Sequence, residues 1–278
     1  MKLGLGTVQF GQAYGVSKKH GQVPRDEVRA ILDIARAAGI GLLDTAANYG
    51  EAETVLSGLD TTGFRIVTKA TNLAKGLNIA LARVRESKRL LPNSDTVLVH
   101  MADDLGAQGG EDYWRGLLAM KDEGLFHKVG ISAYVAQDPA RLAERFRPDV
   151  MQVPVSMLDQ RLLRDGSMKR MKALGVEIHA RSIFLQGLLF LERLPDSLAH
   201  ALPRIEAVRQ IIARAGATPL QAALAFALSR PEIDVALVGV AEAAQLAEIL
   251  SATDAPVPKI DWDNCALTDE KVLTPSRW

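Results

Sequence analysis

The sequence predicts an α/β fold, a TIM (β/α)8 barrel of eight parallel strands with its helices outside. Eight short apolar runs alternate with helical patterns along the 278-residue chain, the rhythm of parallel strands joined by crossover helices. Three consecutive runs close on ionisable residues, Asp44, Lys69 and His100, as strands do where they open onto a barrel mouth. The competing fold, an open doubly wound sheet, begins with a Gly-x-Gly-x-x-Gly turn that runs into a helix. Here Gly4 and Gly6 are followed by Gln9 and Gly11, so that fingerprint is absent.

In chain order, residues 3–10 alternate glycine with apolar side chains and read as the opening strand, followed by a loop over residues 11–21. Pro24 suits the first turn of a helix whose apolar face is Val28, Ile31, Leu32, Ala35 and Ala38, and Gly39 ends it. Residues 40–44 are a buried strand, and the small, polar and aromatic stretch to Gly50 is the loop leaving it. A short helix over 51–58 leads to a strand at 64–69. The helix over 79–91, stopped by Pro92 and Asn93, delivers the strand at 96–100.

The rhythm continues with a helix at 112–124 and a strand at 128–132. Asp138-Pro139 caps and opens a helix running to 146. Residues 150–153 form a short strand, 162–174 a helix and 176–180 a strand. The unusually long apolar stretch 183–191, which contains Gln186 and Gly187, is expected over the barrel mouth. A helix at 202–215 precedes Thr218-Pro219-Leu220-Gln221, in which threonine and glutamine have the spacing of a capping box with proline at the first helical position. The last strand is 235–238, with Gly239 as its exit, and 243–250 is the last regular helix.

Composition sets outer bounds. The chain is 48% hydrophobic with a formal net charge of zero, enough for one large core. No glycine-, serine- or proline-rich linker divides it, so residues 1–278 read as one barrel domain with a C-terminal tail. Basic residues are scattered, which gives no footprint for nucleic acid. The start lacks the apolar run of a signal peptide and no stretch is apolar enough to span a bilayer, so no membrane partner and a cytoplasmic location are expected. Cys265 is the one cysteine, which rules out an intrachain disulfide and a cysteine-rich metal site; no metal is expected.

In a parallel barrel the strand ends share one mouth, so Asp44, Lys69 and His100 become neighbours, with Tyr49 on the loop after the first. A free tyrosine is a poor acid at neutral pH, and a nearby ammonium lowers its pKa. Lys69 can tune Tyr49 in this way, Asp44 can fix Lys69, and His100 can hold a carbonyl oxygen. Each group alone reads as readily as a structural ion pair or strand-end residue. Two other chemistries fit these residues: a Schiff-base lyase or aldolase using Lys69, and a cofactor-binding regulatory protein without turnover.

The motifs Gly4-Leu5-Gly6-Thr7, Leu43-Asp44-Thr45-Ala46 with Tyr49-Gly50 and Glu53, Thr68-Lys69, and Val97-Leu98-Val99-His100 resemble those of the aldo-keto reductases. These are barrels that use nicotinamide cofactors without an open dinucleotide-binding sheet. The resemblance implies a catalytic tetrad of Asp44, Tyr49, Lys69 and His100, and reversible reduction of an aldehyde or ketone by NAD(P)H. It implies cofactor contacts at Thr7, Ser132, Gln152, Arg181, Ser182, Gly239, Val240, Gln245 and Glu248. The chain departs from the family pattern where Ala133 replaces an asparagine, Arg181 a tyrosine that stacks on nicotinamide, and Gly239 and Gln245 a lysine and an arginine that grip the 2′-phosphate. The resemblance favours NADPH, while the lost charges make NADH possible. The substrate expected is a small polar or sugar-like carbonyl compound, shaped by residues 101–114, the stretch after Ser182 and the tail 262–278. Trp114 fits either the pocket or helix packing.

Overall fold

Eight parallel strands close on themselves in chain order. They are β1 (Leu3–Gly6), β2 (Leu42–Asp44), β3 (Arg65–Ala70), β4 (Ser94–Val99), β5 (Lys128–Ser132), β6 (Val150–Pro154), β7 (Glu177–Arg181) and β8 (Val235–Gly239). The computed structural model describes residues 1–14, 21–275 and 278, so most of the loop expected over 11–21 and two residues of the tail lie outside the described residues. Closure is made by β1 and β8, whose register pairs Leu3 with Ala236 and Gly6 with Gly239.

The strands' inward side chains fill the barrel. Leu42, Val67, Leu98, Val150 and Leu237 form an inner cluster of their own, and two glycines make room for it. A Cβ on Gly4 would come within 2.8 Å of Leu237 and Val235, and one on Gly130 within 2.3 Å of the Val150 carbonyl. The outward strand residues pack with the helices into a second, larger core, the two-layer arrangement of this fold.

The helices are α1 (Val8–Gly11), α2 (Arg25–Ala37), α3 (Ala52–Ser57), α4 (Leu77–Leu90), α5 (Gly110–Asp122), α6 (Pro139–Phe146), α7 (Arg161–Arg164), α8 (Ser167–Ala173), α9 (Leu202–Arg214), α10 (Pro219–Ser229), α11 (Ala243–Thr253) and α12 (Glu270–Leu273). Helix α2 buries Val28, Ile31, Leu32 and Ala35, one stripe at helical spacing. Helix α10 opens with both halves of the expected capping box, and Asp138 caps α6 through the Arg141 amide.

Three expectations are corrected. The opening strand ends at Gly6, and Val8–Gly11 is a helical turn that buries Phe10. The helix expected over 162–174 is two helices, because Gly166 takes a left-handed φ of 78° and the Asp165 carboxylate caps the amide of Ser167. His100 lies one residue beyond β4. The apolar stretch after β7 is a pair of tight turns that buries Leu185, Leu188 and Leu189. Its Leu189 carbonyl accepts from Arg209 of α9 at 3.2 Å, and Gln186 donates to the Tyr14 hydroxyl at 3.1 Å.

Trp114 is buried against Phe146, with ring centroids 5.6 Å apart, and so joins α5 to α6. Cys265 is buried, and burial pushes its thiol up to about 11, which leaves it unreactive at neutral pH. Among the described residues no single helix is long and apolar enough to cross a membrane, and no group of histidine, cysteine and carboxylate side chains is gathered for a metal ion.

Candidate active site

Lys69 reaches the mouth from β3 and is 1% exposed. Its ammonium donates to Asp44 Oδ2 at 2.6 Å, to the Thr45 carbonyl at 2.9 Å and to Tyr49 Oη at 3.1 Å. An ammonium has three hydrogens, and each has an acceptor here. The parallel register of β2 and β3 is what brings the two strand ends side by side. His100 completes the group, its ring meeting that of Tyr49 edge to face at 5.7 Å.

Tyr49 is held by backbone on backbone. The Glu51 amide donates to the Gly11 carbonyl at 3.1 Å. A Cβ on Gly11 would lie 1.8 Å from the Tyr49 carbonyl, and one on Gly50, where φ is 54°, 2.3 Å from the Gly11 carbonyl. Only glycine permits this approach at both positions. Beneath it, buried Glu53 accepts from Thr68 at 2.6 Å, from Arg83 at 2.5 Å and from Ser87 at 3.0 Å. That network ties α3 to β3 at the residue before Lys69, and to α4.

The electrostatics differ in one respect from the expectation. Burial raises the Tyr49 phenol above its ordinary value and outweighs the lowering by Lys69. Burial also works against the Lys69 ammonium, yet the Asp44 carboxylate and Tyr49 together hold its pKa above the usual lysine value. His100 is pushed down to about 4 by burial, with the Lys69 charge adding to the effect. At neutral pH the site therefore holds a neutral phenol, an ammonium and a neutral imidazole.

Gln152, from β6, is in direct contact with this group: its Nε2 donates to Asp44 Oδ1 at 2.6 Å. Ser132 of β5 stands in register beside it. Thr7 is fully buried, and its hydroxyl donates to the Asp44 carbonyl at 3.0 Å. Arg181 ends β7 with its guanidinium carbon 4.1 Å from the centre of the Tyr134 ring, and Nη2 donates to the Ala133 carbonyl at 3.4 Å. Ser182 follows with a left-handed φ of 59°.

The residues at the β8 end form a separate group. Gly239 is exposed and Val240 buried, and a Cβ on Gly239 would meet the Gln9 side-chain amide at 2.9 Å. Gln9 therefore fills the space beside the strand exit, and Asn48 is exposed. Gln245 and Glu248 are exposed on α11. Gln245 Oε1 accepts from the Ala241 amide at 2.8 Å, and the Glu27 carboxylate of α2 accepts from the Ala243 amide, the first of α11, at 2.5 Å. The Ala241 and Ala243 amides thus have side-chain acceptors. The pairing of Glu27 with α11, the link from Gln152 to Asp44 and the Tyr134 platform carry no local signal in the sequence, because each joins separate units of the barrel.

A closed parallel barrel with a lysine, tyrosine, aspartate and histidine meeting at its C-terminal mouth defines the class of protein. The chain belongs to the Aldo/keto reductase family, whose sequence profile matches residues 2–270. An aldo-keto reductase of Mycolicibacterium smegmatis is 29% identical over 160 residues, a match that covers 52% of this chain and 54% of that relative. Two solved structures share the fold. The holo form of an aldo-keto reductase from Bacillus halodurans superposes with a TM-score of 0.72 at 19% identity, covering 98% of this chain and 90% of that one. An aldose reductase from Giardia lamblia gives 0.67 at 18% identity, covering 95% and 90% respectively.

Proposed function

We propose that the protein is an NAD(P)H-dependent oxidoreductase that interconverts an aldehyde or ketone and its alcohol. The observation that carries this reading is the Lys69 ammonium, bonded at once to the Asp44 carboxylate and the Tyr49 hydroxyl. In reduction Tyr49 gives its proton to the oxygen of the carbonyl group. Its burial keeps the phenol protonated at neutral pH, the form that donation needs. As the proton leaves, the ammonium 3.1 Å away stabilises the phenolate. Asp44 keeps Lys69 charged and fixed, and neutral His100 donates an N–H to the same carbonyl oxygen. In oxidation Tyr49 acts as the base.

A nicotinamide ring supplies or accepts the hydride when bound. Ser132, Gln152, Arg181 and Ser182 are the residues for its ring, and Thr7 supports the site through the Asp44 carbonyl. Two buried polar atoms without partners, His100 Nδ1 and Gln9 Oε1, fit a polar ligand at this mouth. At the β8 end, Gly239, Val240, Gln245 and Glu248 bring no cation to a 2′-phosphate, and Glu27 adds an anion nearby. The family resemblance favours NADPH and the local charge favours NADH.

The Schiff-base reading needs a neutral lysine as nucleophile, and Lys69 is held as an ammonium by Asp44. Parallel titrations of the purified protein with NADPH and NADH, followed by nicotinamide fluorescence and then by a panel of aldehydes and ketones, test the proposal. Failure of a folded, cofactor-free sample to bind either nucleotide would sink it.

A further inference from the structure

We infer that Glu53 is a positioning residue for the reaction: by anchoring the loop of Tyr49 to Thr68, the residue before Lys69, it sets the separation of the Tyr49 phenol and the Lys69 ammonium. The inference rests on the reductase reading above and gives that same site a further residue.

The first observation is where the Tyr49 loop is fastened. Before Tyr49, the Ala47 amide donates to the Lys69 carbonyl at 3.0 Å. After it, Glu53 Oε1 accepts from the Thr68 hydroxyl at 2.6 Å. Residues 48–52 are thus held at both ends by consecutive residues of β3, whereas the contact of Glu51 with Gly11 runs to α1. Val67 belongs to the inner cluster and Lys69 reaches the mouth, so Thr68 between them faces outward to the helices. Glu53 therefore lies behind β3, away from the mouth, and acts on the reacting groups through the backbone.

The second is how firmly the anchor is held. Glu53 is 2% exposed, and its other oxygen accepts from Arg83 at 2.5 Å and from Ser87 at 3.0 Å. Arg83 also donates to the Ser87 hydroxyl at 2.6 Å. With a donor from β3 on one oxygen and donors from α4 on the other, the carboxylate is not free to turn. Stability alone does not ask for this, because well-packed apolar residues of similar volume serve as well as a buried ion pair or better. Directed, charge-assisted bonds supply a fixed distance and angle.

The third is the narrow tolerance of the contact itself. Lys69 reaches Asp44 at 2.6 Å, the Thr45 carbonyl at 2.9 Å and Tyr49 Oη at 3.1 Å. The bond to the phenol is the longest, and a shift of about 0.5 Å takes it out of hydrogen-bond reach. Asp44 ends β2 and Thr45 follows it, so both keep the ammonium while a loosened loop carries Tyr49 away. Lys69 lowers the Tyr49 phenol against the raising effect of burial. A phenol that loses Lys69 is a weaker acid, and its phenolate has no cation beside it.

Glu53→Ala opens a buried cavity and unpairs Arg83, and the chain could fail to fold, so the test uses the other end of the anchor. Thr68→Val keeps the branched shape of a strand residue and removes the hydroxyl; Thr68→Ser keeps the hydroxyl. In Thr68→Val, kcat for carbonyl reduction should fall by roughly tenfold to a hundredfold, with KM and nucleotide Kd within about twofold of wild type. For alcohol oxidation, the alkaline rise of kcat should move to higher pH, and Thr68→Ser should restore both rate and profile. An unchanged kcat in Thr68→Val overturns the inference. So does a fall with the pH profile unmoved, or an equal fall in Thr68→Ser, because either marks a general loss of structure. Crystal structures of wild type and Thr68→Val give a readout without turnover: the separation of Tyr49 Oη from Lys69 Nζ should open beyond about 3.5 Å in the variant. If wild type reduces no carbonyl, the reductase reading is what has failed, and that separation alone decides on the anchor: widening supports it and an unchanged separation overturns it.

Discussion

Gln152 Nε2 stands 2.6 Å from Asp44 Oδ1, so a residue of β6 grips the carboxylate of β2 across the mouth. The other oxygen of Asp44 takes the Lys69 ammonium, also at 2.6 Å. The position of Lys69, and through it of Tyr49, thus depends on a residue that touches neither.

Gln152→Leu leaves Asp44 Oδ1 buried without a donor, at a cost of about 1–3 kcal/mol. The melting temperature should fall by roughly 5 °C, and turnover should fall with it because the lysine is less well held. Thermal melts and steady-state rates check this; an unchanged melting temperature with full activity would show that the Gln152 contact has no role.

Gly11→Ala forces a methyl group to within 1.8 Å of the Tyr49 carbonyl, and the loop that presents the phenol has to move. Activity should be lost at temperatures where the fold survives, as seen by circular dichroism alongside the assay. Gly41→Ala is the control for expression, since nothing lies within 4 Å of a Cβ there and its φ is not left-handed.

His100 ties stability to acidity. Its imidazole is lowered from 6.5 to about 4, so between these values the unfolded chain takes up a proton that the folded chain refuses. Stability therefore falls on acidification from pH 6.5 to pH 4, by up to about 3 kcal/mol from this group, and the contribution vanishes above pH 6.5. In urea denaturation, His100→Gln should show a shallower loss over that window than wild type. Identical slopes would mean that His100 titrates normally in the folded protein.

On the proposed reading, Glu27 would compete with a cofactor phosphate for the start of α11. A helix N-terminus attracts either anion for the same reason, its unpaired amides and dipole, and the Glu27 carboxylate already holds the Ala243 amide. Glu27→Gln should strengthen binding of NADPH relative to NADH by roughly threefold to tenfold in equilibrium titrations. An equal change for both cofactors would place the 2′-phosphate elsewhere.

Much of the barrel and its mouth was legible in the sequence, for a local reason. Asp44 and Lys69 each end an apolar run, and the pattern of buried strand and polar end is written within a few residues. The capping box at Thr218 and Gln221 is equally local. What was not legible depends on closure. Gln152 and Asp44 are 108 residues apart, and Glu27 and Ala243 are 216 apart; neither pair exists until the strands are in register and β8 has met β1. Glu53 was visible as part of a motif, but its three partners come from β3 and α4. The break in the helix expected over 162–174 was within reach, since Asp165-Gly166 is a turn pair, yet the surrounding helical pattern hid it.

Tyr49→Phe is the most direct measurement of the central claim, because it removes one oxygen and keeps the ring that meets His100. Nicotinamide binding should stay within about twofold of wild type, while carbonyl reduction falls by roughly a thousandfold, the scale of a lost general acid. Reduction at near-normal rates by the phenylalanine variant would contradict the account and move the proton donor away from Tyr49.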